Sequence, residues 1–533
     1  MADRMPVEVV TRIFTHPSRT FTVAELLSFS LVSRVWRTAA LDSPGYWQRV
    51  SIGSVSGYDG LQRVVIPEGN RRLALAQLAH KPFAPSKLWL VGTPAHTDFL
   101  SSVLRSNIFR LTRLHLTVPL DDALIAALGG SDAAWLEELE IRTGYADLPG
   151  APSLALPVHV FNGTAPRLKV VELCGVGLGG RSASGTLSDE SSTSGHKEEF
   201  PAFASVRKLD WEPGYIPALD ISVAFPALEV LCLRMDFDPD DFDPSLHYPS
   251  GSHSLGQPPS IVSLHRLDLV SRTGYDPGQF VPDSSPLRLL ANWWPLACIR
   301  EILVCSADSD IVADLVSNMQ PPFHLRFDRC DSHSLEDPGL NACIGIQSLR
   351  DGALRMFDFP YEYRQEFMDA LFGCLPLERV PELSLCADNC LFVPEMAPVL
   401  PALRTLRIEV PTWDGLLDFW LPPRDIVEHF HPDHPRRDYD RWELEEDEAG
   451  DYLLPALMNK LRCPALDTVV LYHPRPSNST YVRSVEAQLV KRLISEMVEG
   501  PSSGGVTLRL EHVELEEWDG VELEGFSKVV TAT

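Results

Sequence analysis

The sequence predicts an α/β protein: a small N-terminal helical module followed by an irregular solenoid with mainly parallel short strands. Three observations predict it. Residues 30–50, SLVSRVWRTAALDSPGYWQRV, read as a helix too apolar for a single packing partner; an L-x-x-L-x-L pattern recurs from residue 111; and the 533 residues are 44% hydrophobic and 22% charged, as in globular proteins. With 73 acidic and 46 basic residues the formal charge is −27, which opposes a phosphate backbone or an anionic membrane surface, so neither nucleic acid nor membrane is expected as a partner. No apolar run approaches the ~18 residues of a membrane span, and MADRMPVEVVTRIF lacks the apolar centre of a signal peptide. A cytoplasmic and/or nuclear location is expected.

The module opens with PVEVVTRIF. Pro6 suits a first helical turn, Val9 and Ile13 recur at helical spacing with Val10 and Phe14 beside them, and Pro17 ends the helix. Thr22 begins TVAE, a capping box with Glu25 at its third helical position, which starts a second helix. On a helical wheel that helix carries one apolar row of Leu27, Leu31 and Val35 and another of Phe29, Val32, Trp36 and Ala40. Together the rows cover roughly 220°, against the ~100° an ordinary surface helix needs. A two-helix hairpin cannot bury both rows. The second must meet either the rest of the chain or another protein.

Met5-Pro6-x-Glu8-Val9-Val10-x-x-Ile13-Phe14, then Glu25-Leu26-Leu27, then Leu31-Val32-Ser33-Arg34-x-Trp36-Arg37, then Ser43-Pro44 and Trp47 together resemble an F-box. The resemblance implies a module over residues 1–50 that binds the SKP-type adaptor of a cullin-RING ubiquitin ligase. Its adaptor-binding residues would be Met5, Pro6, Val9, Ile13, Leu31, Val32, Trp36 and Trp47, and the rest of the chain would select a protein client. Methionine stands at position 5 where the family has leucine, and THPSRTFT lengthens the first connection.

Residues 51–105 mix signals, RRLALAQLAH reading as helix and KLWLV as strand, and are assigned to a helical linker or solenoid N-cap. The repeats fill 106–520: LTRLHL from 111, LEELEI from 136, LKVVEL from 168, VRKLDW from 206, LEVLCL from 228, LHRLDL from 264, IREILV from 299, VPELSL from 380, LRTLRI from 403, LDTVVL from 466 and LEHVEL from 510. Several follow the phrases FPAL, LPAL or CPAL. The fourth and sixth positions share one face of a strand, the first packs from the turn before it, and each unit must stack on its neighbours to bury that face. This resembles the leucine-rich repeat, and the chain as a whole is similar to a fungal-type F-box protein with a leucine-rich-repeat-like C-terminal domain. The usual asparagine ladder is missing, and the starts at 206 and 228 or at 466 and 510 are spaced less regularly than that family's. Generic α/β layers with amphipathic strands are the alternative. The gaps 305–379 and 409–465 are expected to hide degenerate repeats such as FHLRF at 323 and LRMF at 354. Residues 177–199 are expected to be a disordered insertion, SVEAQLVKRLISEMVEG a capping helix with Leu489, Leu493 and Met497 on one face, and 521–533 a tail.

Third and fifth repeat positions point away from the core, which makes Arg113, His115, Glu138, Glu140, Lys208, Asp210, Arg266, Asp268, Arg407 and Glu409 the candidate client-binding surface. Their mixed signs point to a protein client. The ten cysteines form no CxxC pair and read as reduced thiols. Cys386 with Cys390, the histidines 429, 431 and 434 of EHFHPDHP, and DFDPDDFDP at 236 do not complete a metal-ligand set; GLGGRSASG lacks the lysine of a phosphate loop. No metal, no cofactor and no catalytic residue is expected. The function expected is a non-catalytic substrate-recognition subunit of an SKP-cullin-F-box (SCF) ubiquitin ligase in ubiquitin-dependent protein degradation, or, alternatively, a repeat scaffold that binds proteins without directing degradation.

Overall fold

The computed structural model describes residues 5–15, 23–43, 46, 48–56, 63–66, 68–80, 86–143, 155–179, 199–212, 221–235, 264–271, 296–305, 309–329, 341–360, 364–386, 399–410, 460–473, 483–487, 490–491, 494, 497–499, 505–516 and 526–532. It divides into two compact units, Met1–Pro295 and Leu296–Thr533.

The first unit begins with α1 (Val7–Thr15), α2 (Val23–Ser30) and α3 (Arg34–Asp42). The single long helix expected from Thr22 onward is corrected: the chain turns at Leu31–Val32. Polar side chains explain the break. Ser30 Oγ donates to Leu27 O (2.6 Å), Arg37 Nε donates to Ser30 O (3.1 Å), and Ser33 N-caps α3 by accepting from Trp36 N (3.4 Å), so each new helix end has partners. Thr22 and Pro17 lie outside the described residues. Val10, Phe14, Leu26, Ala39, Ala40 and Tyr46 form the module's core, with Leu27, Phe29, Val35, Trp36 and Leu73 packed against it.

Eight parallel strands follow: β1 (Arg49–Ile52), β2 (Ser86–Val91), β3 (Leu111–Thr117), β4 (Glu138–Arg142), β5 (Val170–Cys174), β6 (Lys208–Glu212), β7 (Val230–Met235) and β8 (Arg266–Ser271). Each pairs with the next in chain order. Fourth and sixth repeat positions are buried throughout, as at Leu114 and Leu116, Leu139 and Ile141, Leu209 and Trp211, Leu267 and Leu269. Each leucine so buried contributes roughly 1.5–3 kcal/mol. The helices α4 (Glu68–His80), α5 (Thr97–Asn107) and α6 (Asp122–Gly129) precede β2, β3 and β4, and α5 packs on α6. The sheet begins at Arg49, inside the stretch assigned to the module, and the 51–105 segment carries the helix and the KLWLV strand read there, as α4 and β2. Likewise Gly177–Leu178, at the start of the insertion expected to be disordered, pair with Ala155–Leu156; residues 180–198 lie outside the described set.

Successive strands are also joined, just before they begin, by backbone hydrogen bonds. The carbonyl of Lys169 accepts from the N–H groups of both Arg207 and Lys208 (2.9 Å each), that of Arg207 from Glu229 and Val230 (2.8 and 2.9 Å), and that of Glu229 from His265 and Arg266 (2.8 and 3.1 Å). One position thus links four successive strands without a side chain, satisfying groups that burial would otherwise leave unpaired. The FPAL phrase at 225–228 and FASV at 203–206 make the matching turn: Val206 N donates to Phe203 O and Leu228 N to Phe225 O, while the rings of Phe200, Phe203 and Phe225 stack at 5.6 and 5.2 Å.

The second unit contains β9 (Glu301–Cys305), β10 (Phe323–Arg329), β11 (Asn341–Ser348), β12 (Leu354–Pro360), β13 (Glu382–Leu385), β14 (Thr405–Glu409), β15 (Thr468–Tyr472), β16 (Val506–Glu511) and β17 (Phe526–Ala532), with helices α7 (Ser309–Ser317) and α8 (Arg364–Cys374) packed together. FHLRF and LRMF are strands, as expected. The strand between them, β11, is antiparallel to both β10 and β12. A tight turn causes this: Gly352 takes φ 75° and its N–H donates to Ser348 O (3.0 Å), folding β12 straight back on β11. From β13 to β17 every neighbouring pair is parallel, and the Arg404 carbonyl again accepts from two N–H groups, of Asp467 and Thr468.

Two expectations near the end are corrected. LEHVEL is not a repeat, because Leu508 and Leu510 fill the inward positions of β16 and His512, at φ 59°, turns the chain out so that Val513–Glu516 pair elsewhere, with Arg483–Glu486. The expected tail is largely a strand, Phe526–Ala532, in parallel register with β16. Of the expected capping helix, Leu489 and Leu493 lie outside the described residues and Met497 is buried. No described helix is long and apolar enough to cross a membrane.

Candidate protein-interaction surfaces

The first surface is on the N-terminal helices. In α1 the inward pair is Val10 and Phe14, so Val9 and Val7 face out, Ile13 is half-buried, and Met5 and Pro6 are exposed ahead of the helix. Leu31 and Val32, in the turn between α2 and α3, are 79% and 50% exposed. An exposed leucine alone would mean little; five exposed large apolar residues, Met5, Val7, Val9, Leu31 and Val32, in so small a module is the pattern of an uncovered interface. Trp36 is placed differently from Leu31 and Val32. Its half-buried ring lies 5.7 Å from those of both Phe14 and Phe29 and packs against the module's core, less open than Leu31 and Val32. The wheel failed here because the helix it assumed is two helices. Trp47 lies outside the described residues.

The second surface is the polar face of the first unit's sheet. Strand register aligns Arg113 with Glu138, and His115 with Glu140, Glu172, Asp210, Cys232 and Asp268 across successive strands. All eight predicted residues of this unit therefore share one face. Arg113 pairs with Glu138 (2.8 Å), Arg234 clasps Asp210 with two hydrogen bonds (2.9 and 2.7 Å), and Arg266 pairs with Asp268 two residues along its own strand (2.9 Å). Arg142 joins Glu140 (2.7 Å) to Glu172, and His115 lies between Glu140, 2.5 Å from its Nδ1, and the Thr117 hydroxyl, 2.8 Å from its Nε2. Burial alone would raise the Glu140 carboxyl; the hydrogen bonds and charges of His115 and Arg142 outweigh it and hold the group below the ordinary carboxylate value. Burial, reinforced by Asp210, pushes the Cys232 thiol up to about 12, so it is no nucleophile. Glu172 was readable as the fifth position of LKVVEL but was passed over; Arg142 and Arg234 fall one place beyond the motif and gave no signal.

In the second unit Arg407 and Glu409 occupy the corresponding face of β14. Arg407 reaches across β15 to Glu511 (2.6 Å), its guanidinium 5.1 Å from the Tyr472 ring centre. On the same face His324 sits 2.7 Å from Ser384 Oγ. Burial, then the charges of Arg326 and Arg407, lower its pKa from 6.5 to about 4, overriding a Glu382 carboxylate 3.9 Å away. The folded state thus takes up this proton later than the unfolded chain, and stability is lost as pH falls from about 6.5 to about 4. Substituting His324→Gln should flatten the pH dependence of the urea midpoint in that window; an unchanged slope would show that His324 titrates normally.

Among the described residues no group of three or more histidine, cysteine, aspartate or glutamate side chains could hold a metal ion. Cys390, the histidines of EHFHPDHP and the DFDPDDFDP stretch lie outside the described residues. The described residues present an N-terminal helical module with exposed apolar side chains and, after it, parallel strands with a polar face. Residues 2–53 match the F-box-like domain family. Such domains in general bind an SKP-type adaptor. No curated protein matches the chain.

Proposed function

We propose that the chain is the substrate-recognition subunit of an SKP-cullin-F-box ubiquitin ligase, acting in the cytoplasm and/or nucleus and contributing no catalytic residue of its own. The observation that carries this reading is the F-box-like match over residues 2–53 together with the exposed Met5, Val9, Leu31 and Val32 in that same module. The parallel strands with their recurring backbone links support a leucine-rich-repeat-like, fungal-type client-binding region. Its role is to hold a protein client near a charged ubiquitin carrier, so that transfer is accelerated by raised effective concentration. A scaffold that binds the adaptor without directing degradation is the second reading. It is favoured if a cullin co-purifies but no client accumulates when the chain is deleted.

The sheet faces are proposed to bind the client. Charge reversal at Arg266 and Arg407 together is expected to reduce client recovery in affinity purification and mass spectrometry, with adaptor binding unchanged. Retention of every client by this double variant, with loss on deleting 181–199 instead, would move the client site to the loops.

A further inference from the structure

On the polar face of the first unit, cations are neutralised where the sheet is densest in charge, at Arg142, Arg234 and Arg266. The β1–β3 end departs from this. Arg49, Lys87 and Arg113 lie side by side in register on three adjacent strands. Only Arg113 has an ion-pair partner there, Glu138; among the described residues no carboxylate lies within ion-pair distance of Arg49 or Lys87. Like charges directly opposite on neighbouring strands are destabilising, and a chain with a formal charge of −27 had no shortage of carboxylates to place between them. The strain shows at Lys87, whose ammonium is lowered by burial and then by Arg113 and Arg49, with Glu138 and Glu137 only partly compensating. Arg49 is held over the Trp89 ring, 5.2 Å from its centre, which fixes the guanidinium beside an apolar surface.

We infer that Arg49, Lys87 and Arg113, with Trp89 beside them, receive a short acidic segment of a protein client, in extended form, with two carboxylates at alternate positions. This rests on the client-binding reading above and names the chemistry of what is bound. Adjacent strands are ~4.8 Å apart, so the three cations span about 10 Å, and alternate side chains of an extended segment are about 6.8 Å apart. Two carboxylates therefore bridge three cations, and the side chain between or beside them meets the Trp89 ring. A longer polyanion is rejected, because the neighbouring row presents Glu140, Glu172, Asp210 and Asp268 across successive strands. The site thus selects a brief acidic stretch and excludes a nucleic-acid backbone.

The test is fluorescence anisotropy with the full chain and labelled extended peptides containing Glu-x-Glu, Gln-x-Gln or Lys-x-Lys. The Glu-x-Glu peptide should bind, weakening as salt rises from about 50 to about 200 mM, and its Gln-x-Gln twin should bind at least about tenfold more weakly, as expected when charge supplies the contact. Combining Arg49→Glu with Lys87→Glu should abolish binding of the acidic peptide and favour Lys-x-Lys; Lys87→Gln alone, which alters the exposed face least, should weaken it measurably. Adaptor binding by each variant reports that the chain is folded. Equal binding of the acidic peptide by wild type and the Arg49/Lys87 variants, binding to neither, or equal competition by inorganic phosphate would overturn the inference. Loss of clients on reversing Arg266 and Arg407, with no effect at Arg49 and Lys87, would overturn this inference and leave the client-face reading standing; peptide binding that depends on Lys87 in a chain that captures no client would do the opposite.

Discussion

Replacing Leu31 and Val32 with aspartate is expected to abolish adaptor binding while leaving the chain folded. Both side chains stand mostly in solvent at the α2–α3 turn, so their loss removes little from the module's core, and exposed substitutions usually change stability by no more than ~0.5 kcal/mol. In a complex the same residues would be covered, and fully burying a leucine or valine side chain is worth roughly 1.5–3 kcal/mol. Together with the burial of two new carboxylates, an affinity loss of at least about 100-fold follows, since ~1.4 kcal/mol is tenfold. Co-purification with the SKP-type adaptor and calorimetric titration would measure it, with thermal unfolding as the control. Undiminished affinity in the double variant would remove this turn from the interface. Point substitution is a cleaner experiment than deleting residues 1–50. Such a deletion takes Arg49 and Val50 out of β1 and strips α4 of two supports, the hydrogen bond from Gln77 Nε2 to Tyr46 O (2.5 Å) and the packing of Leu73 on the module core.

Trp36→Ala should act by a different route. Its ring meets Phe14 edge-on and Phe29 at a tilt, and the two phenylalanines lie 5.4 Å apart, so removal opens a cavity where α1, α2 and α3 converge. Large-to-small changes of this kind cost on the order of 3 kcal/mol or more. A module of three short helices has little stability to lose. Adaptor binding should therefore fall because the module unfolds, with loss of amide protection at Val10, Phe14 and Leu26 and a lowered unfolding midpoint. Trp36→Phe, which keeps most of the packing, should restore both. Normal amide protection combined with lost adaptor affinity would instead make Trp36 a contact residue.

The alternation of the repeats was legible because it is enforced locally. In LTRLHL or LRTLRI, positions two apart must lie on one face of a strand, so Leu114 and Leu116, or Leu406 and Ile408, could be assigned inward and Arg113, His115 and Arg407 outward with no knowledge of neighbours. The same reasoning misplaced LEHVEL. Its apolar spacing fits the motif, but whether Leu510 opens a strand or closes one depends on the turn at His512. The helical wheel failed similarly: apolar spacing through Leu31 and Val32 is continuous, and the break is made by hydrogen bonds of Ser30, Ser33 and Arg37 that compete with continuation of the helix.

By itself, then, the sequence determined an N-terminal module with the F-box residues in order, strands with one apolar and one polar face, and the identity of the polar residues on that face. Each follows from the order of residues along a few turns or one strand. Only the tertiary structure decided that Trp36 is half-buried against Phe14 and Phe29 while Leu31 and Val32 are open, that β11 runs against its neighbours, that Phe526–Ala532 adds a strand, and that Arg49, Lys87 and Arg113 meet without enough carboxylate between them. These depend on which strand lies beside which. Residues 49, 87 and 113 are far apart in the chain, and their charges interact only because parallel pairing places them in one row, where Coulomb energy is set by separation in space and not along the chain.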